Sequence, residues 1–264
     1  MKGLLIFLLL AGCASIQKDE FSAKKGCFLL YDMKTKTFLR EEGASCQERV
    51  VACSTFKVPL AVMAFDSGVL KDQNEVVKWD GTVHKEMHNW DKDQTPVTWM
   101  RYSVVWFSQK LTPKIGKERL QKYLRDFHYG NEDLSGGITQ AWLESPWTGR
   151  PSLKISPMEQ VRFMESLWNE SLPVSARSME LTQKLTFLEK TPSGFEFSGK
   201  TGSNWVDEER KTQLGWFIAH LEKGDKEYIA VLNLRDTPHD KSHPHGGPRA
   251  KAMMTELLKK EGLW

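Results

Sequence analysis

Apolar runs separated by polar turns predict strands at both ends of this chain. The segment GCFLLYDMKTKTFLREE, residues 26–42, carries two apolar runs on either side of the polar turn MKTKT, which is typical of a β-hairpin. Short apolar runs return in FSGKTGS, LGWFIAHLE and KEYIAVLNLR, and the pattern of RAKAMMTELLKKEG predicts a helix at the C-terminus.

The central part of the chain, from STFKVPLAVMAFDSG to MESLWNESLP, is patterned mainly for helices joined by long polar loops. Together these patterns predict an α+β fold. We expect an antiparallel sheet built from both chain ends and flanked by helices, with an all-helical subdomain on one side and a cleft between the two parts. Because no internal repeat or Pro/Gly linker divides the chain, residues 25–264 are predicted to form one domain.

Composition narrows the classes of function. The chain has 264 residues, of which 40% are hydrophobic, and this is ordinary for a globular protein with a sizeable core. The formal net charge is only +3, and no dense block of Lys and Arg is interleaved with aromatic residues. We therefore predict no nucleic-acid partner.

The N-terminal sequence MKGLLIFLLLAGC has an early lysine and an apolar run too short to span a bilayer, which predicts an export signal over residues 1–12. Its end, LAGC, resembles the bacterial lipoprotein box, in which cleavage leaves a lipid-bearing cysteine. Cys13 would then anchor the protein to a membrane through a tether at residues 13–24. The alternative is an ordinary signal peptide with an incidental cysteine. Both interpretations predict an exported protein of the periplasm or cell envelope.

Three cysteines follow Cys13, an odd number for a compartment in which thiols pair. They are Cys27, Cys46 and Cys53, so one is expected to stay free. Cys46 and Cys53 are close in sequence, and a bridge between them would brace the chain just before Ser54. Geometry decides such a pairing, and sequence alone does not supply it.

Candidate chemistry begins with CSTFKVPLAV, where Ser54 lies three residues before Lys57. On a helix both side chains would face the same way at its N-terminal end, and the unpaired N–H groups there would offer an electrophile-activating donor. Apolar neighbours disfavour a charged lysine, so Lys57 is a candidate base. An isolated S-x-x-K has another interpretation, an N-cap serine followed by an exposed lysine.

Two more segments strengthen the catalytic interpretation. In SGKTGSNW, Lys200 and the hydroxyl of Thr201 could hold a substrate carboxylate, and Gly202 would let a ligand approach the backbone. The N–H of Ser203 could act as a second oxyanion donor opposite that of Ser54. In RYSVVW, the hydroxyl of Ser103 could relay a proton between a substrate nitrogen and Lys57.

These segments occur in the order found in one enzyme family. The motifs are Ser54-Thr55-Phe56-Lys57, Ser103-Val104-Val105, Tyr129-Gly130-Asn131 and Lys200-Thr201-Gly202. In this order they resemble the motifs of class D (OXA-type) serine β-lactamases. The likeness continues through FLLYDMKTKTF, YSVVWFSQ, AWLES, SLKISPMEQ and LGWFIAHLE, and so covers nearly all of the predicted exported chain.

The resemblance implies hydrolysis of small β-lactam substrates through an acyl-enzyme on Ser54. It implies that Lys57, carboxylated reversibly by carbon dioxide, is the general base, with no other cofactor. Apolar surroundings fit this role because only a neutral amine attacks carbon dioxide. Trp142 matches the family tryptophan whose indole N–H steadies the carboxylated lysine; alone, Trp142 would be a core aromatic. Val105 and Leu143 match apolar residues that shape the space of the hydrolytic water.

Other positions match the family pattern less closely. Arg249 matches a family arginine that binds the substrate carboxylate, although a solvated arginine at a helix start has the same pattern. Tyr129-Gly130-Asn131 would form one side of the cleft, with Asn131 in a structural role. The segment PWTGRP, residues 146–151, looks inserted and is expected to border the cleft.

The segment RDTPHDKSHPHGGPR contains three histidines, His239, His243 and His245, which could act as metal ligands. No cysteine or carboxylate partner is fixed nearby and the segment is rich in Pro and Gly, so no metal is predicted.

The motifs are shared with penicillin-binding transpeptidases and with β-lactam sensor domains, which are acylated but turn over slowly or not at all. A sensor needs a membrane-spanning portion, and a transpeptidase usually carries further domains, whereas here a short removable segment precedes about 250 residues. The expectation is therefore an enzyme. Its substrate spectrum and its state as a monomer or homodimer stay open.

Overall fold

The computed structural model describes residues 25–85, 87–236 and 245–264. The predicted signal peptide, the tether and Cys13 lie outside these residues. Within the described residues, no helix combines the length and the apolar character needed to cross a membrane.

The strands form two antiparallel sheets. They are β1 Lys25–Asp32, β2 Thr37–Glu42, β3 Val50–Val51, β4 Lys154–Ile155, β5 Phe187–Lys190, β6 Glu196–Trp205, β7 Gln213–Lys223 and β8 Lys226–Asp236. The main sheet has the order β2-β1-β8-β7-β6-β5, and β3 pairs with β4 separately. The predicted antiparallel sheet from both chain ends is therefore confirmed, as are the hairpin of residues 26–42 and the three C-terminal strands.

Helices cover both faces of the main sheet. They are α1 Lys57–Asp66, α2 Pro96–Tyr102, α3 Val105–Ile115, α4 Lys117–Asp126, α5 Pro157–Trp168, α6 Ala176–Thr186 and α7 Gly246–Lys260. Side chains alternate between two cores: Leu29 and Ile218 face the cluster shared with α1 to α6, whereas Phe28 and Phe217 face the cluster shared with α7. The α+β fold class is confirmed.

Local sequence explains where the helices around the site begin. The hydroxyl of Thr95 accepts a hydrogen bond from the N–H of Thr98, and Pro96 is the first residue of α2. Ser156 and Glu159 form the same kind of capping box at the start of α5. Helix α1 differs, because all but its last residue are buried, which makes it the central helix of the helical part.

The proposed bridge between Cys46 and Cys53 is wrong. Cys46 forms a disulfide with Cys27, and the Cα atoms of the two residues are 5.0 Å apart. The hairpin returns the chain to β1, so Cys46 lies beside a residue distant in sequence. Cys53 is a buried free thiol, and burial raises its pKa.

Candidate active site

Ser54 and Lys57 lie where a short 3-10 turn runs into the central helix. Ser54 belongs to the turn Cys53–Phe56, and Lys57 is the first residue of α1. The Nζ of Lys57 is 3.1 Å from the Oγ of Ser54. Lys57 is fully buried, whereas Ser54 is partly exposed. A ligand in the cleft can therefore reach the hydroxyl, while the amine behind it is shielded from water.

Burial holds the pKa of the Lys57 amine well below its ordinary range, and the positive charge of Lys200 lowers that pKa further. Among its sequence neighbours, Phe56, Val58 and Leu60 are all buried. Burial thus favours the neutral form of the amine, which is nucleophilic.

The environment next to Lys57 fits an added acceptor group. The indole of Trp142 packs against Phe56, with ring centroids 5.2 Å apart. The Nε1 of Trp142 is buried and makes no hydrogen bond to any residue that the structure describes. A buried donor without a partner is costly, so the Nε1 of Trp142 could accommodate an acceptor group beyond those of the described residues.

Ser103 and Lys200 form a second pair. The Nζ of Lys200 lies 2.9 Å from the Oγ of Ser103 and 2.9 Å from the carbonyl oxygen of Thr201. Burial lowers the pKa of Lys200 to about 7. Ser103 ends α2 in the left-handed conformation, with φ at 57°, and this directs the chain into α3. A non-glycine residue rarely adopts this conformation, and such strain is concentrated at functional sites.

Strand β6 approaches the nucleophile turn, residues 53–56, closely at Gly202. A Cβ on Gly202 would lie 3.0 Å from the Cβ of Cys53 and 3.3 Å from the Cγ2 of Thr55. Glycine at this position lets strand β6 pack closely against the nucleophile turn, because any side chain would push these neighbours apart. Gly202 thereby brings the K-T-G segment beside Ser54.

The cleft between the sheet and the helices has a volume of about 410 Å³. Several residues singled out from the sequence line it, namely Ser54, Ser103, Val105, Leu143, Thr201, Gly202 and Ser203. Lys57 and Trp142 lie buried beyond the lining. The structure therefore brings the predicted groups together around one cleft.

Arg249 lies near the cleft without being part of its lining. A guanidinium nitrogen of Arg249 donates to the Oε1 of Gln213 at 3.0 Å, and Gln213 does line the cleft. At the start of α7, the N–H of Gly247 donates to the Oγ of Ser203 at 2.8 Å. These contacts hold α7, which carries Arg249, against β6 and β7 beside the cleft.

Tyr129 and Gly130 are buried and Asn131 is partly exposed, and none of the three lines the cleft. The side chain of Asn131 donates to the carbonyl of Ser152 at 2.9 Å and accepts from the N–H of Lys154 at 2.8 Å. A Cβ on Gly130 would lie 1.9 Å from the carbonyl oxygen of Lys154. The expected place at one side of the cleft is therefore wrong for this segment, whereas a structural Asn131 agrees with these contacts.

The segment 146–151 also lies outside the lining of the cleft. It begins with a short 3-10 helix, Pro146–Thr148, and the hydroxyl of Thr148 donates to a carboxylate oxygen of Glu144 at 3.0 Å. The expectation that this segment borders the cleft is therefore wrong.

Asn204 is a residue of the site that the sequence analysis missed. Its Nδ2 donates to the carbonyl oxygen of Leu143 at 2.9 Å, and its Oδ1 accepts from the hydroxyl of Ser145 at 2.8 Å. Asn204 thus ties the end of β6 to the loop that carries Trp142 and Leu143. Its place directly after K-T-G-S was a signal that could have been followed. Other unpredicted residues of the lining are Met87, Trp90, Trp205, Gln213 and Pro248, with His245 beside them.

Among the described residues, no group of three or more His, Cys, Asp and Glu side chains is arranged to hold a metal ion. His239 and His243 lie outside the described residues.

Comparison with known proteins gives a consistent picture. Residues 26–259 match the family model of the penicillin binding protein transpeptidase domain. The chain is 41% identical to beta-lactamase OXA-1 of Escherichia coli over 229 residues, which cover 84% of this chain and 80% of the relative. It is 35% identical to the probable beta-lactamase YbxI of Bacillus subtilis over 246 residues, 93% of this chain and 84% of the relative. The solved structure of class D beta-lactamase BAT-2 superposes with a TM-score of 0.80 at 33% identity, covering 92% of this chain and 94% of that one.

Proposed function

Because this chain belongs to the class D β-lactamases and is a β-lactam hydrolase, we propose that it forms an acyl-enzyme on Ser54 and uses carboxylated Lys57 as general base. The observation that carries the proposal is the 3.1 Å contact between the Nζ of Lys57 and the Oγ of Ser54 at the edge of the cleft. A buried amine with a lowered pKa supports it, because the neutral form is the one that reacts with carbon dioxide.

In acylation, the Oγ of Ser54 attacks the lactam carbonyl carbon and its proton passes to the base at Lys57. The N–H groups of Ser54 and Ser203 stabilise the oxyanion. When the carbon–nitrogen bond breaks, the lactam nitrogen takes a proton from Ser103. The Ser103 hydroxyl is resupplied through Lys200, 2.9 Å away, with the proton that the base at Lys57 took from Ser54, so the base is free again for deacylation. Ser54, Lys57, Ser103 and Lys200 are thus the proposed catalytic residues.

A carboxylate attached to Lys57 supplies a general base with oxygen acceptors in place of an amine. The unpaired Nε1 of Trp142 is the proposed donor that steadies it. In deacylation the same base activates water against the ester carbonyl, and the apolar side chains of Val105 and Leu143 restrict where that water sits.

Substrate binding is assigned to the K-T-G strand and to α7. The substrate carboxylate would contact the hydroxyl of Thr201 and the guanidinium of Arg249, while Gly202 and Ser203 present backbone to the ligand. The contact of Arg249 with Gln213, which lines the cleft, supports this assignment.

The test is a time course of intact protein mass after mixing with excess benzylpenicillin in bicarbonate buffer, with the drug followed in the same samples. Many turnovers with return of the protein to its free mass are expected. A stable one-to-one adduct with unconsumed drug would instead indicate a penicillin-binding or sensor protein. Ser54→Ala is the matched control, and persistent labelling of that variant would contradict the nucleophile.

Carboxylation of Lys57 has its own test. Stripping carbon dioxide should reduce turnover and added bicarbonate should restore it, while ¹³C-bicarbonate should give a carbamate carbon resonance that Lys57→Ala lacks. Full turnover without bicarbonate and no such resonance would contradict the proposed base.

We also propose export and lipidation at Cys13, supported by the LAGC sequence. The mass of the mature N-terminal peptide from cells should show cleavage before Cys13 and an added diacylglyceryl group. An unmodified Cys13, or cleavage elsewhere, would contradict the lipid anchor.

A further inference from the structure

A second cavity, of about 340 Å³, meets the catalytic cleft at Thr201, which lines both. It lies along the edge of β6 where β5 stops. Strand β5 pairs with β6 only up to Ser198, so the next residues of β6, Gly199 and Lys200, have no β5 partner and line the cavity instead. The cavity therefore continues the cleft along a free strand edge.

Cationic side chains line this cavity from four different elements. They are Arg101 at the end of α2, Lys184 of α6, Lys200 of β6 and Lys251 of α7. No aspartate or glutamate is among its described lining residues. Such a convergence gives the cavity a positive potential.

Two carboxylates stand close to these cations without lining the cavity. Glu180 lies 3.7 Å from the Nζ of Lys184, and Glu189 lies 3.2 Å from the Nζ of Lys251. Arg101 is exposed and forms no ion pair within the described part of the chain. The lining of the second cavity therefore keeps an excess of positive charge after these two ion pairs are counted.

The rest of the lining is largely apolar. Val97, Met100 and Phe217 contribute to the cavity wall, and so do Phe187 and Leu188, which are 49% and 39% exposed. Exposed apolar side chains beside unpaired charge suit a ligand group that is both apolar and anionic.

The proposed mechanism fixes which end of a substrate faces this cavity. The lactam nitrogen must lie by the hydroxyl of Ser103, which is 2.9 Å from the Nζ of Lys200. The ring fused at that nitrogen bears the carboxylate that the proposed function assigns to Thr201, so this ring would lie where the cleft and the second cavity meet. A further substituent on this ring would then lead from the cleft into the second cavity.

We propose that this cavity is a subsite for an anionic substituent on the fused ring, so that the enzyme prefers β-lactams with a second negative charge beyond their common carboxylate. The inference rests on the proposed function, because it uses the orientation of the lactam nitrogen.

The test compares two cephalosporins with the same acylamino side chain, one bearing a carboxymethylthio group at C3 and the other its methyl ester. The measured quantity is the ratio of kcat/KM for the acid to that for the ester. In the native enzyme we expect a ratio of about five, on the scale of a few exposed ion pairs. Arg101→Gln combined with Lys251→Gln should bring the ratio close to one.

Lys36→Gln combined with Lys226→Gln is the charge-matched control, since both lysines are exposed and lie outside the cavity lining. It should keep the native ratio. Raising sodium chloride from ~0.05 to ~0.5 M should also lower the ratio in the native enzyme, because salt screens exposed charges. If the double variant does not fold, the salt dependence of the ratio in the native enzyme tests the subsite by itself.

A ratio of one in the native enzyme, or a ratio that ignores salt, would overturn the inference while leaving hydrolysis intact. Failure to hydrolyse both cephalosporins while benzylpenicillin is turned over would also overturn the inference, whereas failure with all three compounds would contradict the proposed function. The two failures are therefore distinguishable in a single set of assays.

Discussion

The Nζ of Lys200 donates to the Oγ of Ser103 at 2.9 Å across 97 positions of sequence. Lys200 comes from β6 and Ser103 from the end of α2, so this contact joins the sheet to the helical part at the cleft. Because burial lowers the pKa of Lys200 to about 7, the pair changes its protonation near neutral pH. A proton relay through Ser103 requires a partner of this kind.

The lowered pKa of Lys200 predicts a pH-dependent stability. In the unfolded chain the amine regains a pKa near 10.4, so between pH ~7 and ~10.4 the unfolded state binds a proton that the folded state lacks. The contribution of Lys200 to the free energy of unfolding should therefore rise with pH across this window, by at most about 1.4 kcal/mol per unit. It should be constant below pH ~7.

Chemical unfolding of the native enzyme and of Lys200→Met at several pH values measures this effect. We expect Lys200→Met to be the more stable protein at pH ~7, with a gap that narrows as the pH rises toward ~10. Lys226→Met, at an exposed position, should show no such trend. A gap independent of pH would mean that the Lys200 amine stays charged in the folded protein.

Asn204 is predicted to support the base through the Trp142 loop. Asn204→Ala removes the hydrogen bonds to the carbonyl of Leu143 and from the hydroxyl of Ser145. Without these hydrogen bonds the Trp142 loop is held less firmly. Lys57 should therefore lose its carboxyl group more readily. Turnover at low bicarbonate should fall about tenfold, as expected for one or two buried hydrogen bonds.

The readout for Asn204 is the bicarbonate concentration that gives half-maximal activity, which should increase. Ser145→Ala removes one of the two contacts and should have a smaller effect. A lower kcat with an unchanged bicarbonate requirement would show that Asn204 acts in some way other than through the base.

Gly202 and Cys53 are predicted to be coupled. A Cβ at Gly202 would lie 3.0 Å from that of Cys53, so Gly202→Ala should displace the nucleophile turn, slow acylation and cost about 1–3 kcal/mol of stability. Cys53 has φ at 53°, which glycine adopts easily. Adding Cys53→Gly should therefore recover part of both losses.

A double-mutant cycle on urea unfolding and on acylation by penicillin measures this coupling. Gly202→Ala combined with Cys53→Gly is expected to perform better than the sum of the single variants. Strictly additive changes in stability and in acylation rate would contradict a steric contact between positions 202 and 53.

The cysteine assignment predicts a definite labelling pattern. Non-reducing peptide mapping should recover Cys27 joined to Cys46, and Cys53 should react with iodoacetamide only after denaturation, because it is buried. Replacing Cys27 and Cys46 by serine should cost about 3 kcal/mol, the scale for a loop of this size. Labelling of Cys53 in the folded protein would contradict its burial.

The sequence predicted those features that depend on local pattern and on ordered motifs. The β1–β2 hairpin, the three C-terminal strands and α7 follow from hydrophobic periodicity, and Ser54 and Lys57 follow from their spacing on a helical turn. Strand β5 escaped prediction because all four of its residues are exposed and show no alternation. The two-residue strands β3 and β4 are too short for any period to show.

Contacts between residues distant in sequence were also not predicted. The cysteine pair was misjudged because distance along the chain is a poor guide once a hairpin folds back. Asn204 was missed because its partners, Leu143 and Ser145, are fixed only by tertiary packing. Such contacts depend on register and packing, which no short motif encodes.

The pairing of β1 with β8 sets when this enzyme can become active. Phe28 lies opposite Leu232, so the centre of the sheet cannot form until the chain has been synthesised past Leu232. Contacts of this sequence separation make folding slow. Lys200 lies on β6 of that sheet, so the contact of its Nζ with the Oγ of Ser103 forms only when the sheet is assembled. We expect the full reactivity of Ser54 toward an electrophile to arise together with the completed fold.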